Sequence, residues 1–125
     1  TMEKKKTIFC DIDGTLFKYR KFETYKSSKP KVLPGAKEMI NKWIGAGHQI
    51  VLTTARPEDM RDHTIKELKE AGIKWTAGRL IMGIERGERY VINDMDPNKP
   101  GRRAFGINLP RDLGLADPDW AVYGL

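Results

Sequence analysis

Residues 7–15 read Thr-Ile-Phe-Cys-Asp-Ile-Asp-Gly-Thr, and this stretch decides the fold that we expect for the rest of the chain. Its apolar residues as far as Ile12 predict a buried strand, and Asp13 followed by Gly14 is typical of a turn. A turn accounts for Asp13 but does not account for Asp11, which stands inside the apolar run. The stretch therefore indicates a strand that carries reactive carboxylates at its carboxyl end.

The segments that follow give the order of the other elements. Apolar residues recur at helical spacing in residues 34–47 and 57–72, each of which begins with proline and ends with glycine. Short apolar runs predict further strands at residues 49–53, 80–82, 90–92 and 105–109. This alternation predicts an α/β fold with a mostly parallel central sheet, in which only the direction of the last strand stays open.

Composition limits the class of protein. At 125 residues the chain is expected to form one domain, residues 1–125, and is too short for a core with a large lid. No apolar run approaches the roughly 20 residues of a membrane helix, so we expect no membrane partner and a cytoplasmic location. The lone Cys10 is expected to be buried. The net charge of +6 favours anionic partners without identifying them.

Polar residues follow three of the predicted strands. Asp11 and Asp13 follow the first, Thr54 the second, and Asp94 the strand at 90–92. In a parallel sheet the ligand lies beyond the carboxyl ends of the strands, so these residues are expected to converge there. Such a site could transfer phosphate with Asp11 as nucleophile and Asp13 as general acid, and its mutually repelling carboxylates call for Mg²⁺, with Asp94 as a further ligand.

Other groups can hold the phosphate. The turn at Gly14 brings backbone N–H groups towards an anion, and Thr54 offers a neutral hydroxyl. Arg56, or the helix that starts near Pro57, could add positive potential. The plain alternatives are that Thr54 caps the following helix and that Asp94, with Asp96, opens a turn before Pro97.

Residues 11–15, 54–56 and 93–96 resemble the first, second and fourth motifs of the haloacid dehalogenase (HAD) superfamily. The resemblance implies a Rossmann-like three-layer sandwich without a large cap and a phosphatase with an aspartyl-phosphate intermediate on Asp11. It also implies acid–base work by Asp13 and phosphate binding by the motif residues Gly14, Thr54 and Ala55. The metal in this family is Mg²⁺, which would be held by Asp11, the backbone carbonyl of Asp13, and Asp94.

The third motif of this family is a lysine, and no lysine lies just before residue 90. Our choice for its replacement in phosphate binding is Arg86, with Lys74 and Arg89 as rivals, because an arginine keeps the charge. The roles of Asn93 and Asp96 stay open. Members of the family that act on halides lack an acid at the position of Asp13, so Asp13 favours phosphate hydrolysis.

Residues 17–33, here called the flap, stand where the family can carry a lid. Basic and aromatic residues alternate in it, and both kinds can contact a phosphorylated metabolite or a nucleic-acid end: Phe17, Lys18, Tyr19, Arg20, Lys21, Phe22, Tyr25, Lys26, Lys29 and Lys31. A polynucleotide 3′-phosphatase or a sugar-phosphate enzyme of capsule biosynthesis would fit. A solvated loop whose aromatic residues pack on the core fits equally well.

Two other functions remain possible for such a chain. The first is a non-catalytic module that binds nucleic acid or phosphate, and the second is a phosphoacceptor signalling domain. A signalling domain would carry its aspartate after a middle strand, where this chain has Thr53 and Thr54. The C-terminal tail, residues 110–125, contains Trp120 and is expected to dock either on the body of the protein or on a partner subunit, which would make an oligomer.

Overall fold

The computed structural model describes residues 4–125, whose centre is a parallel sheet of three strands in the order β1, β2, β3. The strands are β1, Thr7–Asp11, β2, Gln49–Thr53, and β3, Leu80–Ile81. Helix α1, Ala36–Gly45, lies between β1 and β2 in the chain, and helix α2, Arg61–Glu70, lies between β2 and β3. The protein has a Rossmann-like α/β fold without a cap, which confirms the predicted fold class.

The register of the sheet brings the carboxyl ends of its strands level with one another. β1 and β2 pair from Thr7 with Gln49 through Asp11 with Thr53, and β2 pairs with β3 from Leu52 with Leu80. The central strand β2 is buried over its three apolar residues, as expected for a strand covered on both faces. Asp11 therefore lies beside the end of β2.

The core forms where α1 packs on the sheet. Ala36, Ile40 and Trp43 of α1 are buried, at the spacing that places them on one face of the helix. Ile12 and Leu16, which follow β1, have no exposed surface. Within residues 4–125 no helix has the length and apolar character needed to cross a membrane.

The C-terminal tail docks on the body of its own chain. The backbone N–H groups of Leu115 and Ala116 donate to the carbonyl oxygen of Pro34 at 2.8 and 3.1 Å. The ring of Trp120 meets that of Trp43 edge-on, with centroids 5.0 Å apart, and its Nε1 donates to the Leu115 carbonyl at 2.8 Å. Of the two expected docking modes the structure has the first, and an oligomer through the tail stays a prediction.

The strands predicted at residues 90–92 and 105–109 were wrong for this structure, because neither segment is a strand. Tyr90, Val91 and Ile92 are 83%, 66% and 97% exposed, and Phe105 is 62% exposed. In the described sheet β1 is an edge strand with a neighbour on one side only. An apolar run shows what a segment would bury, but a strand also needs a partner strand.

Substitution of Gly35 tests how closely the C-terminal tail packs on the body of the protein. A Cβ atom at Gly35 would lie 2.5 Å from the backbone nitrogen of Ala116, whereas one at Gly78 would have no atom within 4 Å, and both glycines have a left-handed φ, 77° and 75°. We expect Gly35→Ala to lower the free energy of unfolding by about 3 kcal/mol and the control Gly78→Ala by about 1 kcal/mol. Urea denaturation measures both, and equal losses would contradict a tight tail contact.

Candidate active site

The first part of the site is the motif loop, residues 11–15, which follows β1. The backbone N–H groups of Leu16 and Phe17 both donate to the carbonyl oxygen of Ile12, and that of Gly14 donates to Phe17 at 2.7 Å. Gly14 has a φ of 91°, which a residue with a side chain adopts only under strain. The loop therefore turns sharply at Gly14.

Asp11 is solvent-accessible at the mouth of this loop. Its Oδ2 accepts a hydrogen bond from the Thr15 hydroxyl at 3.1 Å. Although the residue is exposed, the surrounding protein partly desolvates its carboxyl group and raises the pKa of Asp11, and the negative charge of Asp13 adds to this effect. The Thr15 hydrogen bond and the charge of Arg89 lower the same pKa but do not outweigh the rise. Asp11 thus lies at the carboxyl end of β1 with a raised pKa, and its role as nucleophile stays a prediction.

Thr54 lies one residue beyond β2, beside the end of β1. Its side chain is buried, and its Oγ1 accepts from the backbone N–H of Arg56 at 3.0 Å. This bond stabilises the start of the loop that contains Ala55, and it leaves the hydroxyl hydrogen to be donated elsewhere. Thr54 therefore combines a local capping bond with the capacity to bind an anion.

Asp13 is held by Arg56, whose side chain is 1% exposed. Nε of Arg56 donates to Oδ2 of Asp13 at 2.8 Å, and Nη2 donates to Oδ1 at 2.8 Å. Two parallel charge-assisted hydrogen bonds of this kind fix both the position and the plane of a carboxylate. The sequence suggested Arg56 as a source of positive potential for phosphate, but in this structure its guanidinium serves Asp13.

The third nitrogen of Arg56 extends this contact into a buried ion network. Its Nη1 donates to Glu67 at 2.7 Å and to the hydroxyl of Thr64 at 3.1 Å. Glu67 also accepts two bonds from Arg20, at 2.9 and 3.1 Å. Burial alone would raise the pKa of Glu67, but the hydrogen bonds from Arg20 and Arg56 outweigh burial and lower it.

Sequence reasoning missed Glu67. The signal that could have found it is its position on α2, where it follows Thr64 and precedes Leu68 on the face that packs inwards. A carboxylate on the buried face of an amphipathic helix needs a cationic partner, and that need points to an arginine elsewhere in the fold.

The flap residues fall into two groups, one packed on the core and one exposed to solvent. Phe17 has no exposed surface, Tyr25 is buried, and the guanidinium of Arg56 lies 4.3 Å from the centroid of the Tyr25 ring. Burial raises the pKa of Tyr25 to about 12, assisted by Asp13. Tyr19 and Phe22 are 37% and 47% exposed, and the flap lysines face solvent. Part of the flap therefore packs on the core, and part presents a basic surface.

The acidic cluster at residues 93–96 does not join Asp11 in this structure. Asp94 is exposed and pairs with Arg103 at 3.0 Å, while Asn93 donates to Asp94 at 3.1 Å. Asp96 lines a cavity together with Lys4, which precedes β1, so it lies towards the end of the sheet opposite Asp11. The sequence expected these acids at the carboxyl edge, and the unpaired segment 90–92 is the reason that they are not there.

The predicted metal ligands are consequently separated. Within residues 4–125 no three histidine, cysteine or acidic side chains lie close enough to hold a metal ion. Asp11 offers a carboxylate and Asp13 its backbone carbonyl, but the third predicted ligand, Asp94, is paired with Arg103. The residues present in this conformation do not fit a complete Mg²⁺ site.

The three candidates for the third-motif cation differ in position. Arg89 is the arginine whose charge acts on Asp11. Arg86, our choice from the sequence, is exposed three residues before it, and Lys74 precedes β3, at the amino edge of the sheet. Of the three, Arg89 is the one with an electrostatic effect on Asp11, and the identity of the third-motif cation stays a prediction.

The family model described as PITM 1-3, LNS2 domain, matches residues 8–90, more than half of the chain. The chain belongs to the LNS2 domain family. This family is part of the HAD-like superfamily, which confirms the resemblance at that level and relates this LNS2 domain to phosphatases. The match includes the motif loop and Thr54 but ends before Asp94. No curated protein and no solved structure matches the chain.

The ion network makes a prediction about pH. We expect Glu67→Gln to lower the free energy of unfolding by about 3 kcal/mol at pH 7, because Arg20 and Arg56 lose a buried partner. Since the pKa of Glu67 in the folded protein is below its ordinary 4.5, its stabilisation is complete above that pH and is lost as pH falls through the lowered value. Urea denaturation over a pH series should therefore show the free energies of unfolding of the wild type and Glu67→Gln converging at low pH.

The matched control is Glu70→Gln on the same helix. Glu70 is 67% exposed and its nearest cation, Lys66, is 4.0 Å away. Exposed pairs of this kind contribute about 0.5 kcal/mol or less. A loss in Glu67→Gln as small as that in Glu70→Gln would show that the network does not hold the fold together.

Proposed function

We propose that this LNS2 domain hydrolyses phosphomonoesters, with Asp11 as the nucleophile. The observation that carries the proposal is the setting of Asp11. Its accessible carboxylate ends β1 beside the buried hydroxyl of Thr54, and the charge of Arg89 acts on it. Membership of a phosphatase-related superfamily supports the same reaction at a coarse level.

The proposed reaction has two steps. In the first, an Asp11 carboxylate oxygen attacks phosphorus, the bond from phosphorus to the substrate oxygen breaks, and that oxygen leaves with a proton. In the second, water attacks the aspartyl phosphate, which releases inorganic phosphate and restores the Asp11 carboxylate. Thr54 donates its hydroxyl hydrogen to a phosphoryl oxygen, and Arg89 balances the charge of the phosphoryl group. Backbone N–H groups near Gly14 add further donors.

Asp13 in its protonated form is the proposed donor to the leaving oxygen, and its carboxylate then takes a proton back from the attacking water. In this structure both of its oxygens accept bonds from Arg56, so one of them must be released for proton transfer. Arg56 can tolerate that release because Glu67, at 2.7 Å, still balances its charge. Glu67 is thus proposed to keep Arg56 in place while Asp13 works.

Mg²⁺ is the typical cofactor of HAD-like phosphatases and, when bound, would supply positive charge to the phosphoryl oxygens. We propose that Asp94 approaches Asp11 when residues 90–92 pair with the free edge of β1. Exposed apolar side chains at 90–92 and an unpaired edge on β1 each carry a cost that pairing would remove. In a parallel pair, Asp94 would leave its strand at the same edge as Asp11.

A non-catalytic phosphate-binding or nucleic-acid-binding module is the second candidate. It is favoured by the exposed lysines of the flap and by the ion pair of Asp94 with Arg103. Such a module would bind sugar phosphates, nucleotides or polynucleotide 3′-phosphates with strong salt dependence and would release no phosphate. Measurement of phosphate release distinguishes such a binding module from a phosphatase.

The nucleophile can be tested directly. We expect Asp11→Asn to lower Mg²⁺-dependent phosphate release at least about 1,000-fold, because an amide cannot attack phosphorus. The control Asp62→Asn changes an exposed acid in the first turn of α2 and should retain activity. In the wild type, the rate should fall as the pH is lowered through the pKa of Asp11, which lies above its ordinary 3.8. Full activity in Asp11→Asn would rule out the mechanism.

The proposed pairing of residues 90–92 with β1 predicts a change in hydrogen exchange. On addition of Mg²⁺ and beryllium fluoride, a phosphate mimic, backbone amides in 90–92 should become protected, while those in the loop 97–101 should not. Ile92→Lys should abolish the protection, whereas Val122→Lys, at another exposed apolar residue, should leave it intact. If exchange at 90–92 is unchanged in the wild type, Asp94 does not join the site by this route.

A further inference from the structure

The C-terminal tail contacts the motif loop through Arg111 and Asp112, residues that no motif of the sequence marks. The backbone N–H of Asp112 donates to the carbonyl oxygen of Gly14 at 2.8 Å. Oδ1 of Asp112 accepts from the backbone N–H of Tyr19 at 2.7 Å. One residue of the tail therefore holds together the motif loop and the flap.

Asp112 makes these bonds in a strained backbone conformation. Its φ is 65°, and it is the one residue other than glycine with a positive φ among residues 4–125. Aspartate adopts this left-handed region at a cost, which persists only where the surrounding structure imposes it. The two hydrogen bonds impose it here, and they hold the backbone next to Arg111 against the motif loop and the flap.

Arg111 lies over the motif loop as a preorganised cation. A Cβ atom at Gly14 would be 3.4 Å from Cγ of Arg111, so the stem of this side chain lies against the glycine. Its guanidinium is 4.1 Å from the centroid of the Tyr19 ring. An arginine stacked on a ring still presents its N–H groups outwards in the plane that suits a phosphate or carboxylate.

The charge of Arg111 is available to a ligand. Arg111 is exposed, and it forms no ion pair within 4.0 Å with any acidic group in residues 4–125. Its place also differs from that of Arg89, whose charge acts on Asp11 where the phosphoryl group reacts. The stem of Arg111 instead lies against Gly14 and its guanidinium stacks on Tyr19 of the flap, so a group bound to it would extend from the motif loop towards the flap.

We propose that Arg111, supported by the ring of Tyr19, binds a second anionic group of the substrate, remote from the phosphorus that Asp11 attacks. The preferred substrates are then small phosphomonoesters that carry another phosphate or a carboxylate. This inference rests on the proposed function, because it takes the motif loop to be the place where substrate binds.

The test compares ligands with one and two anionic groups. Fructose 1,6-bisphosphate and 3-phosphoglycerate have two, and p-nitrophenyl phosphate has one. We expect Arg111→Gln to raise KM for the first two about tenfold with little change in kcat, and to leave both constants for p-nitrophenyl phosphate unchanged. Arg111→Lys should restore part of the loss. The control Arg102→Gln, which changes an arginine of the cavity shared with Lys4, should behave as wild type.

A binding measurement separates this inference from the proposed function. Titration calorimetry on Asp11→Asn should show fructose 1,6-bisphosphate binding about tenfold more tightly than on Asp11→Asn combined with Arg111→Gln. If this difference in affinity is found but the wild type releases no phosphate, the proposed function is wrong and the anion site stands. If the wild type releases phosphate but the two variants bind fructose 1,6-bisphosphate equally tightly, the proposed function stands and the anion site is wrong. If Asp11→Asn binds neither fructose 1,6-bisphosphate nor 3-phosphoglycerate, or if Arg111→Gln affects all three substrates equally, the inference is overturned.

Discussion

Arg56 carries a positive charge into the interior of the protein, where it is stable only because Asp13 and Glu67 lie on either side of it at 2.8 and 2.7 Å. A buried guanidinium without such partners would cost several kcal/mol. The pairing therefore constrains three segments at once: the motif loop, the loop after β2, and α2. The position of Asp13 in the candidate site follows from this constraint.

The flap shares in the same constraint through Arg20, which is the second cation on Glu67. Its side chain is 10% exposed, and Tyr25 packs its ring against both arginines, 5.0 Å from Arg20 and 4.3 Å from Arg56. A segment that looked from its composition like a basic surface is thus partly an internal support. The remaining flap cations are exposed lysines, which suit contact with anions because nothing in the core requires their charge.

Local sequence patterns and the common edge of parallel strands account for the features that the sequence could predict. Helices α1 and α2 were predicted from apolar spacing, proline and glycine, and the contact of the Asp11 and Thr54 segments followed from the common edge of parallel strands. Asp13 and Arg56 are 43 residues apart, and no local pattern pairs them. Residues 90–92 carry the same apolar signal as β2, but a strand also depends on a partner that the signal does not contain.

The acids and cations of the candidate site come from separate parts of the chain, so opening of one part need not displace them all. Asp11 and Asp13 belong to β1 and its loop, whereas Arg56 follows β2, Arg89 follows β3, and Arg111 comes from the tail. The tail is held by hydrogen bonds to Pro34 and by the packing of Trp120. Because local opening costs less than global unfolding, loosening of the tail would remove the charge of Arg111 while the ion network around Arg56 stayed intact. Affinity for anionic substrates would then depend on docking of the tail, separately from the position of Asp13.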